Sequence, residues 1–92
     1  MKYRVLKQQR AVEELQKWAR SGAKKTLKKI FDMLQELETH PRTGTGHPEP
    51  LSQDRTGQWS RRIDKKNRLI YSIHDDIVEV HLISLMGHYT PN

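Results

Sequence analysis

The feature that most constrains the fold is an apolar stripe in the first half of the chain. Its five members recur at intervals of three and four residues, the spacing of one helix face: Leu27, Ile30, Phe31, Leu34 and Leu37. We expect Ser21 to cap the start of this helix. Pro41 disfavours helical backbone in the residue before it, so the helix should end between Glu38 and His40.

A shorter stripe with the same period predicts an earlier helix. It contains two alanines and three larger apolar residues: Ala11, Val12, Leu15, Trp18 and Ala19. This helix should begin near Gln8 and end at Ser21 and Gly22, which interrupt the pattern. Before it, Tyr3 and Val5 alternate with polar residues, which predicts an opening strand over residues 2–6.

The second half of the chain has the period of strands. Residues 41–57 are rich in glycine, proline, threonine and serine, which predicts a long loop without helix or strand. Three strand-like segments follow at residues 58–63, 68–74 and 77–84, and a three-stranded antiparallel meander is the simplest arrangement. In the middle segment Leu69, Tyr71 and Ile73 should face the helices, which leaves Arg68 on the free face.

The predicted fold is therefore α+β, with two N-terminal helices packed on a small antiparallel sheet in the order β-α-α-β-β-β. A length of 92 residues suits one domain, which we place at residues 1–92. The apolar runs are too short to span a bilayer and the N-terminus lacks a secretory signal, so we expect a cytoplasmic protein with no membrane partner. The absence of cysteine excludes disulfides and thiolate zinc sites.

The charge of the chain indicates a polyanionic partner. The formal net charge is +6, and clustered cations gain affinity for nucleic acid by neutralising phosphates and releasing counterions. Four lysines lie at the start of the second predicted helix, where the helix dipole disfavours cations: Lys24, Lys25, Lys28 and Lys29. They either bind an anion or form the solvent-exposed face of an amphipathic helix. An acidic protein could be the partner of the basic chain instead of nucleic acid.

Several polar residues from separate segments could together form a reactive site. They comprise a carboxylate between two prolines, three strand arginines and a pair after the last strand: Glu49, Arg61, Arg62, Arg68, His88 and Tyr89. Carboxylate, imidazole, guanidinium and phenol together supply general acids and bases with charge stabilisation. Each also has a simpler interpretation. Glu49 would be an exposed acid in a rigid loop, and Arg68 a cross-strand partner of an acid such as Glu79.

The sequence predicts neither a metal nor another cofactor. His74, His81 and His88 recur every seven residues, which is not the spacing of known zinc ligands. The glycines of the loop lack the lysine and hydroxyl residue of a nucleotide phosphate loop.

Three motifs in this order resemble a known family. They are GTGHPEPL from residue 44, GQWSRRIDKKNRLIYSI from residue 57, and GHY from residue 87. Together they are similar to the YoeB/Txe-type toxins of the RelE superfamily, which belong to bacterial type II toxin-antitoxin systems. The resemblance implies the RelE-like fold. It departs from the family pattern around Pro-Glu-Pro, where lysines are replaced, and in the short tail after Tyr89.

The resemblance further implies a ribosome-dependent mRNA endoribonuclease. Glu49 falls on the family's catalytic glutamate, Arg68 on its catalytic arginine, and His88 and Tyr89 on its terminal pair. Arg62 would be an auxiliary phosphate contact, and Arg61 is assigned to RNA binding with it. The implied partners are a cognate antitoxin, mRNA and the decoding site of the small ribosomal subunit, and a homodimer is compatible with the sequence.

Two other functions are compatible with the same charge and fold. One is a basic module that binds RNA or the ribosome without cutting. The other is a toxin of the same superfold directed at gyrase, although that branch lacks this set of glutamate, arginine and His-Tyr.

Overall fold

The computed structural model describes residues 2–51 and 57–87, in which two helices pack against one sheet. The elements in chain order are β1 (Arg4–Lys7), α1 (Gln9–Arg20), α2 (Lys24–Thr39), β2 (Glu49–Pro50), β3 (Gln58–Arg62), β4 (Arg68–His74) and β5 (Glu79–Ser84). The predicted α+β class is confirmed, and the predicted helices and strands occur in the predicted order, with β2 as an additional strand. No helix in these two ranges is long and apolar enough to cross a membrane.

The strand order across the sheet is β1-β5-β4-β3-β2. Strands β3, β4 and β5 form the predicted antiparallel meander. Strand β1 pairs in parallel with β5, so the sheet is mixed and the prediction of a wholly antiparallel sheet was wrong in this detail. The two helices carry the chain from β1 at one edge of the sheet to β2 at the opposite edge.

The main differences from the sequence prediction are the starts of two strands and one strand that was not predicted. Strand β1 begins at Arg4, two residues later than predicted, because its ladder with β5 starts there. The loop prediction for residues 41–57 missed β2, in which Glu49 and Pro50 pair with β3. Strand β5 begins at Glu79, because the preceding Val78 has a left-handed φ of 54° that belongs to the turn.

The core lies between the helices and the sheet, and α2 is rotated relative to the predicted stripe. Its buried residues are Ile30, Met33 and Leu37, whereas Phe31 is 51% exposed. Residues 30, 33 and 37 are also spaced by three and four residues. The helical period alone therefore could not show which of two neighbouring faces of α2 is buried. Ser21 does not cap α2, because the N-cap position is Ala23, which has no side-chain cap bond. The Ser21 hydroxyl donates to the Trp18 carbonyl at the end of α1 and accepts from the Ala23 amide at 3.3 Å.

Candidate active site

Glu49 is held at the edge of the sheet by its own backbone. It lies opposite Ser60 in the β2–β3 ladder. Before it, the Arg62 amide donates to the Gly46 carbonyl across 2.6 Å, so β3 also holds the approach to Pro48. Gly46 has a φ of 89° and His47 a φ of 52°, which turn the chain sharply ahead of the strand. The Glu49 side chain itself is 56% exposed.

Arg61 is a structural residue, and its prediction as an RNA contact was wrong. Its side chain is fully buried and donates to the Glu36 carboxylate at 2.5 Å and to the Tyr71 hydroxyl at 3.2 Å. It also donates to three backbone carbonyls of the loop after α2, those of His40, Thr43 and Thr45. Alternate residues of a strand face opposite sides, and here Arg61 faces the helices while Arg62 faces solvent.

The network around Arg61 fixes the loop that leads to Glu49. Glu36 accepts hydrogen bonds from the Thr45 amide and hydroxyl at 2.8 and 2.7 Å. Burial acts to raise the pKa of Glu36, but the hydrogen bonds from Thr45 and Arg61 outweigh it and the pKa lies below 4.5. Tyr71 donates to the Pro41 carbonyl at 2.6 Å, and burial raises its pKa, so it remains a neutral donor.

Arg68 lies beside Glu49 on the free face of the sheet. One of its terminal nitrogens is 3.1 Å from a Glu49 carboxylate oxygen and 3.2 Å from the Ser60 hydroxyl. The alternative pairing with Glu79 is wrong, because Glu79 instead bonds Arg4 at 2.6 Å. The structure therefore brings together two of the predicted catalytic residues, which come from different strands.

A shallow depression of about 340 Å³ adjoins this pair and is lined by Arg62, Asp64, Lys65 and Arg68. Arg62 is exposed and lies directly opposite Arg68 in the ladder. Burial acts to raise the pKa of Asp64, but hydrogen bonds from the turn that follows it outweigh burial and hold the pKa below 3.8. Three cationic side chains therefore converge with one turn-forming carboxylate, an arrangement suited to a phosphate.

The chain reaches Gly87 beside Arg68. The Arg68 amide donates to the Gly87 carbonyl, and the Gly87 amide donates to the Asn67 side chain, both across 3.0 Å. The other two predicted catalytic residues, His88 and Tyr89, lie outside the described residues. Within residues 2–51 and 57–87, no group of three or more histidine or acidic side chains is arranged to hold a metal.

The fold and these motifs can be compared with known proteins. Residues 7–89 match the family described as "YoeB-like toxin of bacterial type II toxin-antitoxin system". The chain belongs to the YoeB toxin family. A YoeB toxin of Mycobacterium bovis is 41% identical over 66 residues, which are 72% of this chain and 75% of that protein. The resemblance predicted from the three motifs is thereby confirmed.

Solved YoeB structures share the whole architecture. A YoeB/ParE toxin from Agrobacterium tumefaciens superposes with a TM-score of 0.84 at 29% identity, covering 94% of this chain and 99% of that one. A YoeB dimer from Staphylococcus aureus has a TM-score of 0.79 at 30% identity, covering 97% of this chain and all of that one. The Staphylococcus aureus toxin is also solved as a YoeB-YefM complex.

The four lysines at the start of α2 in this YoeB-family chain divide into two groups. Lys24, Lys25 and Lys28 are exposed, and Lys28 forms an i,i+4 pair with Asp32 at 3.0 Å. Lys29 is half-buried and donates to the Ile63 carbonyl at 3.1 Å. Lys29 thus ties α2 to the turn that follows β3, and its side chain is less available to a ligand than the other three.

Sequence reasoning missed two polar residues that contact the elements of the candidate site. Ser60 was hidden inside the Ser-Arg-Arg motif, and only the strand register shows that it shares a face with Glu49. Glu14 is buried on α1 and bonds the backbone just after β5. Its signal was present, since Glu14 lies three residues after Ala11 and four before Trp18, on the buried face of the helix.

Proposed function

We propose that this YoeB-family toxin is a ribosome-dependent mRNA endoribonuclease that blocks translation. The observation that carries the proposal is the Glu49–Arg68 pair, 3.1 Å apart on the solvent-facing side of the sheet beside a cationic depression. A general base beside a guanidinium that can bind phosphate supplies two of the groups that metal-independent RNA cleavage uses. Family membership supports the same activity.

In the proposed reaction the attacking group is the RNA 2′-hydroxyl. Glu49 takes the hydroxyl proton while the 2′-oxygen forms a bond to the adjacent phosphorus. The bond from phosphorus to the 5′-oxygen then breaks, and His88 as imidazolium gives that oxygen a proton. Arg68 stabilises the negative charge on the phosphorus oxygens, and Tyr89 orients the phosphate or stacks on a base.

Pre-organisation of Glu49 lowers the entropy cost of placing the base against the 2′-hydroxyl. Proline fixes φ, so Pro48 and Pro50 limit the positions that Glu49 can visit. The β2–β3 ladder and the buried Arg61 network hold the same loop from both sides. A base that is already in place loses less entropy when it meets its substrate.

The remaining partners follow from charge and from the relatives. Arg62, Lys24, Lys25 and Lys28 are exposed cations that we assign to RNA, with Lys29 in a lesser role. A cognate antitoxin would inhibit the toxin, as the YoeB-YefM complex of Staphylococcus aureus suggests, and a homodimer is proposed from the dimer of the same toxin. An activity on ribosomes places the protein in the bacterial cytoplasm.

The deciding experiment adds this protein to ribosomes programmed with one of two mRNAs and measures binding and cleavage. One is all-ribose, and the other has a single 2′-deoxy nucleotide at the mapped cut site. We expect cleavage of the first alone, with equal binding of both, because only the first holds the attacking hydroxyl. Glu49→Gln should bind ribosomes and cleave at least about 100-fold more slowly.

Two outcomes would contradict the proposal. Cleavage of the deoxy-substituted mRNA at the same site would exclude attack by the 2′-hydroxyl. Ribosome binding with no cleavage of either mRNA would favour a non-catalytic binding module.

A further inference from the structure

Glu14 is a buried carboxylate for which the proposed reaction has no use. It lies on α1, is only 9% exposed, and accepts hydrogen bonds from a segment 71 residues later. One of its oxygens accepts from the Leu85 amide at 2.7 Å and from the Met86 amide at 3.1 Å. The other oxygen accepts from Arg10 at 2.9 Å. A buried carboxylate with two backbone partners holds those partners firmly, because charge-assisted hydrogen bonds are strong.

Further hydrogen bonds fix the same short segment. The Trp18 indole nitrogen, one helical turn after Glu14, donates to the Leu85 carbonyl at 2.9 Å. Asn67 and Arg68 bond the amide and the carbonyl of Gly87. We call Leu85–Gly87 the exit segment, since it follows β5 and leads directly to His88.

The exit segment is not held by a strand ladder. It lies beyond Ser84, where β5 ends, so its backbone polar groups need partners from elsewhere. Those partners come from α1 on one side and from the start of β4 on the other. The Leu85 side chain is fully buried in the core, which anchors the segment further. Its position relative to Arg68 is therefore set by the backbone bond between the Arg68 amide and the Gly87 carbonyl, together with the side chains of Glu14, Trp18 and Asn67.

We propose that Glu14, together with Trp18, is a positioning residue for cleavage, which clamps the exit segment so that Gly87, the residue before His88 in the chain, is held beside Arg68. This inference rests on the proposed function, because it assigns to His88 the proton transfer that the clamp serves. Displacing a catalytic group by about 1 Å can cost two orders of magnitude in rate. A helix that supplies no group to the proposed reaction would thereby control the general acid.

The test uses four variants of the full chain on programmed ribosomes. Glu14→Ala removes the acceptor, and Glu14→Gln keeps one oxygen for the two amides. Trp18→Phe removes the indole donor and keeps a smaller aromatic ring in the core. Glu13→Ala is the matched control, since Glu13 is an exposed neighbour on α1 that accepts only from Gln9 within the described residues. Thermal melts define a temperature at which every variant is folded.

We expect Glu14→Ala to lower kcat by about 10-fold or more with KM within about twofold of the parent value. Glu14→Gln should recover most of the rate, and Glu13→Ala should match the parent. Trp18→Phe should give a smaller loss in the same direction. It also keeps the test valid if Glu14→Ala fails to fold.

A double-mutant cycle with His88→Gln decides whether the clamp acts through His88. In the His88→Gln background, Glu14→Ala should lower kcat by less than about twofold, because the group that Glu14 positions is already absent. An equal loss in both backgrounds, or a change confined to KM, would overturn the inference. If His88→Gln alone cleaves at full rate, the proposed function fails instead. If His88→Gln is slow while Glu14→Ala and Trp18→Phe are normal, only the clamp is wrong.

Discussion

Arg68 and Glu49 lie 3.1 Å apart although 19 residues separate them in the chain. The pair forms because β2 and β4 flank β3, so that side chains from both strands meet over Ser60. Glu49 is more than half exposed, and exposed ion pairs contribute less than about 1 kcal/mol to stability. The pair therefore has little value for the fold, which favours a role for it in chemistry.

Substituting Arg68 should separate activity from stability. Arg68→Gln should lower the cleavage rate about 100-fold, since it removes a charged donor from the developing phosphate charge. Arg68→Lys should lower the rate by less, because lysine keeps the positive charge, although it lacks the planar arrangement of donors in a guanidinium. The melting temperature should change little in either variant. The matched control is Arg4→Lys, which alters an Arg–Glu pair at the opposite edge of the sheet and should cleave normally.

The adjacent arginines Arg61 and Arg62 should differ strongly in how much the same substitution lowers stability. Arg61→Met should lower the free energy of unfolding by about 3 kcal/mol, because it removes the cationic partner of the Glu36 carboxylate and the guanidinium donor to three loop carbonyls. Arg62→Met should change it by less than about 0.5 kcal/mol, since that side chain is exposed. Urea unfolding measures both, and equal losses would contradict the buried network.

Glu36 should make the stability depend on pH in the acidic range. Its pKa is below 4.5 in the folded protein, so its stabilisation is fully present above that value. The stabilisation is lost as pH falls through the lower folded pKa. Glu36→Gln cannot titrate, so the stability gap between the parent and the variant should shrink as pH falls below about 5. Urea unfolding at several pH values measures the gap, and a constant gap would exclude this role.

Gly46 should be less tolerant than Gly22, although both have left-handed φ values of 89° and 78°. A Cβ at Gly46 would lie 2.8 Å from the Arg62 carbonyl oxygen, whereas none of the described atoms comes within 4 Å of one at Gly22. Gly22→Ala should cost about 1 kcal/mol for the backbone alone. Gly46→Ala should cost at least about 1 kcal/mol more and should slow cleavage, since it displaces the loop that carries Glu49. Similar losses in unfolding experiments would argue against this contact.

Local patterns predicted the elements well because they depend on neighbouring residues. The period of three and four identified both helices, and alternation identified the meander. The same logic failed for Phe31 and Met33, since a helix of this composition offers two adjacent apolar faces. It also missed β2, whose two residues are too few to show a period.

The α+β order, the family and the choice of Glu49 and Arg68 as candidates followed from the sequence alone, because periodicity and motif order are properties of the chain. Three other features became visible only in the folded chain: which arginine of Ser-Arg-Arg faces solvent, the pairing of Arg68 with Glu49 rather than Glu79, and the hold of Glu14 on the exit segment. Each of these depends on which face of the sheet the helices cover. That choice is made by packing between segments distant in sequence, which no local pattern records.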